Sequence, residues 1–368
     1  IGGGGGRVAA QISEALSARG HEVRVATTGM KHLAATEEIN GVTVHRFECS
    51  RRREDTCSLP EMAFYLARTF FPTLRLVREW KPDVLHVHFA VPTGAVALPI
   101  HWMTKTPYIL TAHLGDVPGG VPEQTSSLFA LLGSFIRPIW NAAAAATAVS
   151  SFVANLARAA YQKEVTVILN GIAGFPPPTL VTHEPTKLLF VGRLSVQKNP
   201  LALVAVAKKI RDLAWHLDVI GEGPFSAELQ AAIQSAGLQN RITLHGWKSA
   251  TEVREKMLGS DILLMPSHSE GLPMAAIEAL HCGMAIVGSD IPGLADVVLP
   301  SRNGDLCAKE NLEVEMADAV TALIKYPERL ASYRKESLAH ASHFDLAKSV
   351  AAYEEVLQRA ATSAPTKP

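Results

Sequence analysis

A chain of 368 residues is longer than one hydrophobic core ordinarily serves, so two domains are expected. Hydrophobic residues at 48% and charged residues at 19% exclude an intrinsically disordered chain. With 35 basic and 35 acidic residues the formal net charge is zero, which argues against a dedicated nucleic-acid binder. Cys49, Cys57, Cys282 and Cys307 are scattered and form no Cys-x-x-Cys pair, so a reducing compartment is expected rather than a disulfide framework. The most apolar region, 126–139, is broken by Gly133, Arg137 and Pro138. It falls short of the roughly 18–20 apolar residues that span a bilayer. With no signal peptide visible, the expectation is a soluble, cytoplasmic protein.

In chain order, the run Gly2 to Gly6 leads into a helix from Arg7 to Arg19, closed by Gly20, and 21–27 reads as a strand. Further strands are expected at 42–47, 83–87, 108–112, 146–149 and 165–169. Pro176 to Pro178, followed by a stretch without apolar periodicity, reads as a linker. The alternation then restarts, with strands at 187–191, 216–220, 242–245, 262–265 and 285–288. Helices are expected at 200–212, 225–236, 250–258 and 273–281. Short apolar strands alternating with amphipathic helices indicate parallel sheets covered on both faces. The expected architecture is α/β: two Rossmann-like, doubly wound domains facing a cleft. Their bounds are 1–175 and 187–345, joined by 176–186, with 346–368 as a helix packing back across the junction and a tail. No strand precedes the glycine run and no initiator Met is present, although the first strand of a doubly wound sheet lies centrally. The sequence is therefore expected to lack natural N-terminal residues, that strand among them.

The strongest local signal is PSHSEGLPMAAIEAL, 266–280, in which seven residues separate Glu270 from Glu278. Pro273 suits the first turn of a helix. Backbone N–H groups near Gly271 and Leu272 would then sit at a positively polarised helix end, suited to a diphosphate with a carboxylate on each side. An ordinary loop and helix start with a capping Ser or Glu also satisfies this pattern. In VGRLSVQKN, 191–199, Arg193 and Lys198 are spaced to converge on one anion, unless both are simply solvated. Gly221 and Gly223 in GEGP form a tight turn that admits a ligand close to the backbone, and His245–Gly246 ends the next strand on the same sheet edge. His86 and His88 share one strand face, but no carboxylate or Cys accompanies them, so packing is expected rather than a metal site.

In this order and position, these segments resemble glycosyltransferase family 4, retaining enzymes of the GT-B fold. The resemblance covers nearly the whole chain and is strongest over 187–300. It implies that Arg193 and Lys198 bind the donor diphosphate, Glu278 holds the nucleotide ribose and Glu270 faces the donor sugar. Gly271 and Leu272 would supply backbone donors. Gly4 and Gly5 fall in the family's glycine loop near the donor phosphate. His113, in TAHLGD, matches the histidine beside the reacting sugar and joins Glu270, Arg193 and Lys198 in the implied catalytic set. Asp116 and His88 are placed on the acceptor side. The segment DIPGLAD, 290–296, receives no role, and Ala173 stands where the family's Asn-Gly-Ile-Asp step has aspartate.

The implied reaction moves a sugar from a nucleotide diphosphate sugar to a glycan or lipid-linked acceptor hydroxyl, in cell-envelope polysaccharide or glycolipid synthesis. No cofactor and no essential metal are implied, and a UDP-sugar is expected before a GDP-sugar. A sugar-nucleotide epimerase of the same fold and a non-catalytic nucleotide-sugar-binding protein are the alternatives. A dinucleotide oxidoreductase fits less well, since Gly2 to Gly6 is not a clean Gly-x-Gly-x-x-Gly. Arg51 to Arg53, followed by Met62, Phe64, Tyr65, Leu66, Phe70 and Phe71, form a basic, aromatic segment suited to an anionic membrane surface at the inner face of the cell membrane. A mobile loop and an ordinary core helix is the simpler reading of the same segment.

Overall fold

The computed structural model describes residues 4–29, 33–48 and 59–362, so Gly2, Gly3, Cys49, Cys57 and Arg51 to Arg53 lie outside the described residues. The chain divides into two compact units, Ile1–Gly171 with Leu346–Pro368, and Ile172–Asp345.

In the first unit, α1 (Gly4–Ala18) buries Val8, Ile12 and Leu16, one residue per turn on a single face. It begins three residues before the expected Arg7, because Gly4 to Gly6 form its first turn rather than a loop. Strand β1 (Val23–Gly29) pairs in parallel with β3 (Val42–Glu48), and β2 (Thr36–Ile39) pairs antiparallel on the far side of β3. α2 (Leu59–Trp80) leads to a second sheet made of β4 (Leu85–His88), β5 (Tyr108–Ala112), β6 (Ala145–Ala148) and β7 (Thr166–Val167), parallel and in that spatial order. α3 (Ala95–Thr104), α4 (Pro122–Ala142) and α5 (Ser151–Tyr161) connect these strands. α4 runs on through Gly133 and Pro138, which interrupt its apolar run without ending the helix. β1 and β4 are edge strands of separate sheets and share no ladder.

The second unit carries one six-stranded parallel sheet. Its elements are β8 (Thr186–Val191), α6 (Leu201–Lys209), β9 (Trp215–Ile220), α7 (Ser226–Ser235), β10 (Ile242–Leu244), α8 (Ala250–Leu258), β11 (Ile262–Met265), α9 (Met274–His281), β12 (Ala285–Ser289), β13 (Gly304–Cys307), α10 (Leu312–Lys325) and α11 (Pro327–Ala341). The spatial order is β10-β9-β8-β11-β12-β13. The chain moves outward from β8 through β10, then returns to β11 on the other side. The carboxyl ends of β8 and β11 therefore flank the switch point where open α/β sheets take ligands.

α12 (Leu346–Thr362) belongs to the first unit and packs on α1 and β5. Ser349 Oγ donates to Leu169 O at 2.7 Å, and Glu354 pairs with Arg19 at 2.5 Å and His21 at 2.7 Å.

The segment expected as a linker, 176–186, belongs to the second unit and is fastened there by a buried arginine. Arg334, 2% exposed, donates to Val181 O at 2.6 Å and Gly283 O at 2.8 Å. It also pairs with the fully buried Asp261 at 2.7 Å. Asp261 accepts from Lys187 N at 2.9 Å and meets His183 Nδ1 at 3.0 Å. Asp261→Ala leaves Arg334 as an uncompensated buried cation. We expect it to cost the second unit about 3–5 kcal/mol, read as a lower urea midpoint.

Candidate functional site

Four loops at the carboxyl ends of β8, β9, β10 and β11 are stitched together with little room for side chains. Gly192 N donates to Ile220 O at 3.0 Å, Leu194 N to Glu222 O at 3.0 Å and Gly221 N to Gly246 O at 2.8 Å. Gly221 has φ +137°, and a Cβ there would lie 1.9 Å from Gly192 O. At Gly223 a Cβ would lie 2.3 Å from Leu194 O. Glycine is therefore required by close backbone approach as well as by conformation. Glu222 Oε1 accepts from Trp247 N at 3.2 Å and ties the loop after β9 to the one after β10.

The loop after β8 is also bound to the loop after β11. Lys198, on the short 3₁₀ turn Val196–Lys198, forms an ion pair with Glu270. The Glu270 carboxylate is buried, at 5% exposure, and needs such a partner. Gln197 Nε2 donates to Ser269 O at 2.9 Å, and Gln197 O accepts from His268 N at 2.8 Å. Gly271 and Leu272 are buried ahead of α9, with Pro273 as its N-cap, and Glu278 is half-buried within that helix. Arg193 is half-buried in the loop after β8. Six expected positions (Arg193, Lys198, Glu270, Gly271, Leu272 and Glu278) thus belong to the two strand ends at the switch point and the helix that follows.

Sequence reasoning left Gly293 without a role. A Cβ at Gly293 would sit 1.9 Å from Glu270 O, so the 290–296 segment backs the Glu270 loop and must be side-chain-free there. Its signal was the glycine in DIPGLAD. Gln197 was also missed, since nothing in its local pattern distinguishes it. Ser267 and Ser269 hydroxyls are buried with no hydrogen-bond partner among the described residues.

In the first unit, His113 follows β5 and meets His88, at the end of β4, through Nε2 and Nδ1 at 3.0 Å. The two rings share one proton. The His86 and His88 rings lie 4.1 Å apart, and His86 Nε2 meets Thr111 Oγ1 at 2.8 Å. Phe89 stacks on His113 at 4.4 Å from a backbone with φ +71°, a region that costs of order 1–3 kcal/mol for a residue of this size. Gly5 lies against both rings, since a Cβ there would stand 2.4 Å from Phe89 Cζ and 3.3 Å from His113 Nδ1. Gly4 is exposed at the start of α1. The expected glycine loop is therefore the first turn of a helix, and at Gly5 the missing side chain makes room for the aromatic pair.

Asp116 is not presented toward an acceptor. It is 3% exposed, and its carboxylate accepts from His113 N at 2.9 Å, Leu114 N at 3.2 Å and Ala90 N at 3.0 Å. The acidic residue braces the loop after β4 against the loop carrying His113. Burial pushes its pKa up, with the backbone donors pulling against that shift.

Burial drives the His113 imidazole down to about 3, and the nearby His86 adds to the effect. His86 and His88 are likewise held well below the usual value, first by burial and then by their neighbouring imidazoles. All three rings are therefore neutral around pH 7. Among the described residues, no group of three or more His, Cys, Asp or Glu side chains is arranged to hold a metal.

The family described as Glycosyltransferase Family 4 matches residues 2–173, and Glycosyl transferases group 1 matches 175–339. The chain is 27% identical over 349 residues to a glycogen synthase of Mycobacterium tuberculosis, covering 88% of this chain and 83% of that protein. It is 25% identical to a D-inositol 3-phosphate glycosyltransferase of Arthrobacter, covering 92% and 86%. Sucrose-phosphate synthase of Thermosynechococcus elongatus superposes with a TM-score of 0.83 at 18% identity, over 97% of this chain and 93% of that one. Anabaena HepE, crystallised with UDP and glucose, superposes at 0.76 with 17% identity, over 97% and 96%. The chain belongs to the family 4 type of glycosyltransferases, with the GT-B architecture of two Rossmann-like domains.

Two substitutions test this geometry. Gly221→Ala forces a side chain against Gly192 O and is expected to cost at least about 2 kcal/mol. Gly237→Ala, at φ +66° with nothing within 4 Å, should cost only about 1 kcal/mol, the backbone preference alone. Equal unfolding free energies for the two variants would contradict the close approach. The second test is pH. A folded pKa below the unfolded value means that the unfolded state binds more protons in between, so stability present above about pH 6.5 is lost as pH falls toward 3. His113→Asn is expected to flatten that acid-side slope in denaturation curves taken at successive pH values.

Proposed function

We propose that this glycosyltransferase moves a sugar from a nucleoside diphosphate sugar to an acceptor hydroxyl with retention of configuration. The observation that carries the reading is the Lys198–Glu270 pair, which joins two loops beside the N-terminus of α9. A cation, a helix N-terminus and close-packed backbone in one place suit a leaving diphosphate. Lys198 and Arg193 neutralise the charge that builds there. Gly271 and Leu272 offer backbone N–H groups, and the Ser267 and Ser269 hydroxyls offer two further polar contacts. Glu270 orients the Lys198 ammonium and accepts from sugar hydroxyls, and Glu278 holds the ribose. Gly221 and Gly223 admit the nucleotide close to the backbone. His113, neutral and held by His88, hydrogen-bonds the transferred sugar.

The crystallised complex of HepE with UDP and glucose supports a UDP-sugar donor, and the family resemblance supports work on a polysaccharide or glycolipid acceptor without an essential metal. Calorimetric titration of UDP, GDP and ADP tests the donor site. Micromolar binding of UDP is expected, weakened in Lys198→Ala, with turnover down roughly a hundredfold. Turnover within twofold of the unsubstituted protein would remove Lys198 from the mechanism. Product analysis by NMR separates transfer from isomerisation: a donor epimerised without any acceptor would overturn the transferase reading, and an inverted product would overturn retention.

A further inference from the structure

Helix α2 has two apolar sides, and the fold uses only one. Leu74 and Val77 pack into a core cluster with Val96 and Ile100 of α3. On the outer side Phe64 is 42% exposed and Phe71 is 71% exposed. At 3.6 residues per turn, Phe64, Arg68, Phe71, Arg75 and Arg78 fall within an arc of about 80° along about 21 Å of helix. The Arg68 guanidinium lies 5.8 Å from the centre of the Phe64 ring. Arg75 pairs with Glu79, which borders the stripe, at 2.7 Å. Among the described residues no carboxylate pairs with Arg68 or Arg78.

Further exposed apolar side chains and cations occur on the helices packed in succession beside it, α3 on α2 and α4 on α3. Trp102 and Met103 are exposed at the end of α3, three and two residues before the exposed Lys105. Phe135 of α4 is 72% exposed, with Arg137 exposed two residues on. On α2 the Phe64 ring has the Arg68 guanidinium over it and Phe71 has Arg75 one turn on, and Glu61 and Glu79 are the acids at the margin of the helix. A ring that buries itself among acyl chains while a neighbouring guanidinium or ammonium reaches a phosphate is the chemistry of a bilayer boundary. No helix among the described residues is long and apolar enough to cross a membrane, so such contact lies along the surface.

We infer that the outer face of α2, with the ends of the helices beside it, docks this chain on an anionic phospholipid bilayer. The inference stands independently of the donor site. It is tested by sedimentation with vesicles of phosphatidylcholine alone and of phosphatidylcholine mixed with phosphatidylglycerol. The protein is expected to sediment with the mixed vesicles, weakly with the neutral ones, and less as salt is raised. Phe64→Ser with Phe71→Ser should lower the partition coefficient roughly a hundredfold, and Arg68→Gln about fivefold. Both rings are exposed, so thermal melting and nucleotide binding should stay unchanged. Failure of the parent protein to sediment, or equal partition by the double variant, would overturn the inference. So would a dimer in solution that the double variant abolishes, since a second copy would then be the occupant.

Discussion

The switch point of the second unit depends on one ion pair, between Glu270 and Lys198. Glu270 is 5% exposed in a loop that begins where β11 ends, and Lys198 reaches it from the loop that follows β8. A buried pair of this kind contributes little net stability, because desolvation of both groups offsets most of their attraction. Its larger effect is on position, since separating the partners leaves an uncompensated charge costing several kcal/mol. Other features follow from it. Gly293 must lack a side chain because Glu270 O occupies the space, and Gln197, beside Lys198, adds two hydrogen bonds across the same seam to His268 and Ser269. The loops at the switch point are therefore held by each other, and the cation is oriented before any ligand arrives.

The first unit uses the same economy with opposite electrostatics. Its buried carboxylate, Asp116, pairs with no cation among the described residues and accepts from three backbone N–H groups. The histidines beside it pack with their rings tilted against one another, His113 stacked on Phe89, and are kept neutral by burial. The second unit thus holds a charged pair at its sheet edge, and the first holds imidazoles that carry no charge near neutral pH. A neutral imidazole can accept or donate a hydrogen bond without a strong solvation shell to remove.

Much of the fold was legible because hydrophobic periodicity reports burial. β5, wholly buried, and β11, buried on both faces, carry the bounds that their apolar runs suggest, and α8 carries its expected bounds with a capping box at Ser249 and Glu252. The misses share a cause. β2 is almost entirely exposed and β13 is half polar, so neither leaves a hydrophobic signature. α4 keeps its course through Gly133 and Pro138 because tertiary packing of Ile136, Ile139 and Trp140 outweighs the local penalty. Residues picked out by their spacing, such as Arg193, Lys198, Glu270 and Glu278, lie at the two strand ends of the switch point and the helix that follows. Contacts made through the backbone leave no such signal: the sequence places Asp116 beside His113 without showing the three backbone N–H groups it accepts from, and Gly293 is passed over because a required absence of side chain looks like any glycine.

α2 shows where periodicity stops being informative. Its sequence places apolar residues on nearly every side, and a stripe analysis cannot say which are spent on the core. The structure separates them: Leu74 and Val77 are inside, and Phe64 and Phe71 are outside with arginines one turn away. The outer rings therefore add nothing to the packing of this unit, and leaving them in water carries the full cost of exposed apolar surface. Selection for stability alone has no use for them. Their spacing with cations points instead to a surface that supplies both hydrocarbon and negative charge, which a globular core cannot offer and a lipid headgroup region does.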